Sequence, residues 1–159
     1  RHHAGAFMKT LGEAISYVSD ADVMRMKLSD LAVRHASYGV DVTDLDHVGR
    51  CLIYTIEKTL PRREYNPQVK QAWLKTWAAF QGVMEPALIA AKNPVADDFA
   101  YLNFHYVDQT HLSIVRTTWV QVSANKEDYG VDMFLHLFRL VPTLKAIFSF
   151  GAIEPLESS

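Results

Sequence analysis

One cysteine in 159 residues leaves no intramolecular disulfide and no thiolate metal cluster, and it points to a reducing, cytoplasmic setting. No apolar run reaches the roughly 18–20 residues that a membrane-spanning helix needs. Neither sign of charge is in excess: 16 basic against 18 acidic residues give a net charge of −2, so there is no electrostatic case for nucleic acid or an anionic membrane. Strand-type alternation, internal repeats and low-complexity segments are lacking, and so is a glycine-rich flavin or nicotinamide fingerprint. Arg1-His2-His3 does not have the make-up of a signal peptide, though it matches the remnant of a purification tag.

What is present suits a packed helical globule. Apolar residues make up 49% and charged residues 21%, enough for a sizeable core at a length that fits one domain. Phe7, Met8, Leu11, Ile15 and Val18 recur at helical spacing, so residues 1–19 are expected to form an amphipathic helix. Residues 19–22 (Ser-Asp-Ala-Asp) form a capping stretch before a shorter helix through Leu28, Leu31 and His35, which Gly39 closes. A third stripe runs through Leu45, Val48, Leu52, Ile56 and Leu60 up to Pro61.

Asn66-Pro67 is a strong helix start, an N-cap side chain followed by a proline whose missing N–H costs nothing there. The helix it opens carries Val69, Trp73, Trp77, Phe80 and Met84, and Pro86 is expected to kink or end it. Residues 93–107 break the pattern and form an aromatic-rich connector. Helical spacing resumes at Leu112, Val115, Trp119 and Val122, breaks near Asn125, and returns with Phe134, Leu137, Phe138 and Val141; Pro142 starts a last turn towards Phe148. The expectation is an all-α globule of six or seven unequal helices, and the pattern alone demands no cofactor.

The segment Leu31-Ala-Val-Arg-His35-Ala-Ser-Tyr-Gly-Val40 resembles the haem-ligating helix and following corner of a globin. Val48-Gly49, Leu52, Tyr54, Glu57-Lys58, Leu60, Pro67, Ala72-Trp73 and Met84 fall at the spacings of the last two helices of a neuroglobin-like globin. Trp119, Val122-Ser123, Gly130, Phe134, Leu137-Phe138, Pro142, Leu144 and Phe148 resemble its opening helices, yet they come at the end of the chain. The resemblance therefore implies a circularly permuted globin fold, family helices E-F-G-H, then the connector 93–107, then A-B-C, within one domain 1–159. Androglobin has a permuted order too, but the connector here has no calmodulin-binding IQ pattern and His3 stands where that family carries glutamine. An engineered permutant and a fragment spanning two tandem globins give the same order.

For the site, the resemblance implies haem b held by His35 as proximal ligand, with the Leu31 carbonyl accepting from the other ring nitrogen and the Leu31 side chain packing on the haem. His3 stands at the distal position, separated from His35 by this subfamily's usual interval, and is expected either to hydrogen-bond bound O₂ or to ligate iron directly, giving the bis-histidine, six-coordinate haem of neuroglobins. Phe148 corresponds to the phenylalanine that wedges against the haem, and Pro142 to the proline that starts its helix. Phe134 and Phe7 are expected above the iron, and Tyr38, Val40 and Leu45 along the proximal edge. Phe7 replaces a commoner valine and Ala6 a propionate-pairing basic residue. His47, His105, His111 and His136 have no ligand role in the match, and Cys51 is expected to be buried and inert.

The function so implied is binding of O₂, CO or NO, or redox sensing and electron transfer, without a dedicated catalytic substrate. Two alternatives stand beside it. One is a haem enzyme (NO dioxygenase, nitrite reductase or peroxidase-like) served by a reductase partner, and the other is a haem-free interaction module.

Overall fold

The computed structural model describes residues 2–93 and 108–148, and everything from the second half of the connector's first dipeptide to its end, with the tail from 149, lies outside them. Six α-helices and one 3-10 helix make up the described part: α1 (His2–Tyr17), α2 (Ala21–Ser37), α3 (Val42–Thr59), α4 (Pro67–Lys92), α5 (Gln109–Ser123), α6 (Lys126–Leu140) and the 3-10 helix Pro142–Ile147. No strand occurs among the described residues.

The boundaries follow local chemistry. Asp20 caps α2 by accepting from the Val23 amide at 3.1 Å. Gly39, at φ 84°, takes the left-handed conformation that lets the chain leave α2 and turn into α3. The Asp41 amide donates to the Asp44 carboxylate at 2.8 Å, half of a reciprocal capping box. Asn66 accepts from the Gln68 and Val69 amides at 3.0 and 3.1 Å, and Pro67 takes the first helical position. Replacing Asn66 by alanine should therefore cost about 1 kcal/mol, with a range of roughly 0.5–2, read as a lower urea midpoint at unchanged slope.

Pro86 neither ends α4 nor stops it short of Lys92. Proline has no N–H to donate to the Gly82 carbonyl four residues back, and the bond lost there is outweighed by burial of Val83, Met84, Ala87 and Leu88 on either side. Of the two outcomes expected at Pro86, the helix end does not occur, because a helix held by tertiary packing tolerates a local defect.

Each helix buries one face in a common core. Trp73, Leu52, Ile56, Leu88, Leu112, Met133 and Leu137 are almost wholly enclosed. Trp73 joins α4 to α5 through an indole N–H that donates to Thr118 Oγ1 at 2.9 Å, and its ring lies 6.1 Å from that of Trp119. Gly49 lets α3 approach α4: a Cβ there would stand 2.1 Å from Trp77 Nε1. At the α1–α6 crossing a Cβ on Gly130 would stand 2.9 Å from both the Ala4 carbonyl oxygen and Met8 Cγ.

The pairing of elements sets up the site. Within the described residues α4 packs against α2, α3 and α5, while α6 packs against α1, α3, α5 and the 3-10 helix. By contrast α2 packs only on α1 and α4, and none of its Cα atoms comes within 8 Å of α3, α5, α6 or the 3-10 helix in a recurring contact. No helix among the described residues is long and apolar enough to cross a membrane.

Candidate haem site

His35 sits in the last turn of α2, on the edge of the face buried by Met24, Leu28 and Ala32. Its Nδ1 lies 2.8 Å from the Leu31 carbonyl oxygen, one turn back. A carbonyl can only accept, so Nδ1 carries the proton and donates it. Burial pushes the imidazole below its ordinary range; the bond to Leu31 pulls the other way and the Arg34 charge lowers it again, with burial prevailing. The ring is thus neutral at pH 7, and Nε2 keeps its lone pair with no hydrogen-bond partner among the described residues. A neutral imidazole whose second nitrogen is fixed by a carbonyl is the state that binds a metal.

The remaining residues singled out in the sequence occupy two regions. Leu31 and Val40 are half-buried, and Leu45 is buried near the start of α3. Tyr38 is 61% exposed, with its ring 6.1 Å from that of His35. In the second region, Phe7 of α1 and Phe134 of α6 meet edge to face at 5.7 Å. Phe134 meets Phe148 at 5.2 Å, and Phe138, not picked out as a site residue from sequence, meets Phe148 at 5.3 Å and Phe134 at 5.8 Å. Pro142 opens the 3-10 helix that delivers Phe148 to this cluster. The clustering of Phe138 had a sequence signal, its position four residues after Phe134 on the same helical face.

The backbone of His3 belongs to α1, but its side chain lies outside the described residues. Its neighbour Ala4 is buried against Gly130 at the α1–α6 crossing, so the backbone of residue 3 lies beside that crossing. Cys51 is fully buried, and burial pushes its thiol up to about 11, which removes the reactive thiolate. His111 donates its ring N–H to the carboxylate of Asp108, which also accepts from the His111 amide at 3.0 Å and so caps α5.

The residues present fit an iron porphyrin. One imidazole nitrogen has no partner among the described residues and the other is engaged, on a helix that packs only against α1 and α4, while four aromatic rings gather on α1, α6 and the segment after Pro142. An all-helical fold with such a site defines a haem-protein class. Residues 1–84 match the globin family model, which is more than half of the chain, and the chain belongs to the globin family. Globins bind haem and, through it, diatomic gases. No solved structure is matched by the chain.

Proposed function

We propose that this protein is a circularly permuted globin of neuroglobin-like pattern that holds haem b between His35 and His3 in six-coordinate form. The observation that carries the reading is the neutral His35 imidazole, with Nδ1–H on the Leu31 carbonyl and Nε2 without a partner among the described residues. When bound, haem supplies an iron centre that takes O₂, CO or NO and changes redox state. The chain's own contribution is to fix one imidazole, to carry a second on α1, and to enclose the distal side with Phe7, Phe134 and Phe148, which admit little water. With no flavin or nicotinamide fingerprint of its own, a redox cycle takes electrons from a separate reductase or electron-transfer partner.

Permuted order within one domain, 1–159, is supported by the packing of α4 on α5 and of α6 on both α1 and α3, which knits the two parts of the chain together. Lys75 of α4 reaches Asp108, just before α5, at 4.0 Å. Lys92 and Asp108, on either side of the connector, are therefore roughly 25 Å apart, at 1.5 Å per residue along α4. Segment 93–107 can span about 50 Å when extended, so the closure is feasible.

An absorption spectrum of the reduced protein tests the coordination. Sharp six-coordinate visible bands are expected, and His3→Ala should keep haem while speeding CO binding at least tenfold. A five-coordinate ferrous spectrum, or equal CO rates in the variant and the parent, would sink the role given to His3.

A further inference from the structure

Away from the haem site, α3 and α6 enclose a groove of about 240 Å³. Tyr54 and Lys58 line it from α3, one turn apart, and Tyr129, Asp132, His136 and Arg139 line it from α6 at spacings of three and four. The Tyr54 ring stacks on the His136 imidazole, centroids 4.1 Å apart and planes at 13°, which makes one rigid wall. The Lys58 ammonium stands over the Tyr54 ring at 5.5 Å. Among the described residues neither Lys58 nor Arg139 forms an ion pair, although Asp132 lines the same groove.

A lone exposed lysine or arginine is ordinary solvated surface. Two cations from different helices, converging on one concavity with a stacked aromatic wall and a single carboxylate, are a recognition set. Arginine's planar fork matches a carboxylate or phosphate with paired hydrogen bonds, and lysine adds a point charge. Asp132 repels a bare anion but accepts from a hydroxyl, so it selects an oxyanion that also carries a donor. The volume lies below the roughly 300–1,000 Å³ of drug-sized sites, which limits the ligand to a few carbon atoms.

We infer that the α3–α6 groove binds a small hydroxylated oxyanion, its phosphate or carboxylate group on Arg139 and Lys58 and its hydroxyl on Asp132. Three probes test this by calorimetry on the full chain, with the ring-proton NMR signals of Tyr54 and His136 as a local readout. They are glycerol 3-phosphate, glycerate and methyl phosphate. Saturable binding of one of the first two is expected, the better of them identifying the charged group, with methyl phosphate weaker than glycerol 3-phosphate. Arg139→Gln should weaken binding at least tenfold, and Asp132→Asn should erase the preference for the hydroxylated phosphate or carboxylate. Both positions are exposed, so these variants are expected to fold as the parent does. No saturable binding of either hydroxylated probe, or equal affinity in Arg139→Gln, overturns the assignment. Haem content does not enter the test, so its outcome is separate from that of the globin coordination.

Discussion

His35→Ala should abolish stable haem retention while leaving the helices intact. The side chain is half-buried, and the Leu31 carbonyl that it engages still accepts from the residue 35 amide within α2. Truncation therefore strands no buried polar group and opens little cavity, so the loss of fold stability should be small. The loss of haem affinity should be large, because changes to outer-shell partners alone typically cost 10–100-fold and this change removes the ligand itself. Haem transfer to a scavenger measures the first quantity and far-ultraviolet circular dichroism the second. His111→Ala is the control, since that ring is engaged with Asp108 at the start of α5 and should leave haem loss unchanged. A variant at position 35 that keeps haem as long as the parent would mean that iron is held elsewhere.

Features that depend on near neighbours are legible in the sequence. The Asn66-Pro67 start, the turn at Gly39 and the Leu31–His35 bond are all set within one helical turn, where spacing and residue type decide the outcome. Packing between distant segments was not legible. Pro86 reads as a break because the proline rule is local, and the burial that overrides it comes from other helices. The Trp73–Thr118 bond and the Tyr54–His136 stack join residues far apart in the chain, and no periodicity reports which exposed faces meet. Tyr38 illustrates a third case: its place after the His35 helix is readable, but how far it is enclosed is a property of the finished surface. The family register carried His3, and its side chain lies outside the described residues.

Two glycine-to-alanine changes, each inside a helix, should move stability in opposite directions. At Gly5 of α1 an added Cβ would meet, among the described residues, only the Glu127 Cγ, at 4.0 Å, which is ordinary contact. Helix propensity then governs, and Gly5→Ala should stabilise by up to about 1 kcal/mol. At Gly130 the same propensity gain is opposed by a Cβ 2.9 Å from the Ala4 carbonyl oxygen, a backbone atom held in α1 that cannot rotate away. Met8 Cγ, at the same distance, belongs to a side chain with no exposed surface. Overpacking of this kind costs roughly 1–3 kcal/mol, so Gly130→Ala should be net destabilising, and the bulkier Gly130→Val more so. For a chain of this size each kcal/mol corresponds to about 2–4 °C, a difference that thermal melts resolve. The crossing also holds α1 beside residue 3. Forcing α1 from α6 would shift the helical segment that bears His3, so Gly130→Ala should alter the CO binding rate as well as the melting temperature. A lower melting temperature with unchanged CO kinetics would place the crossing in the fold alone and uncouple it from the distal side.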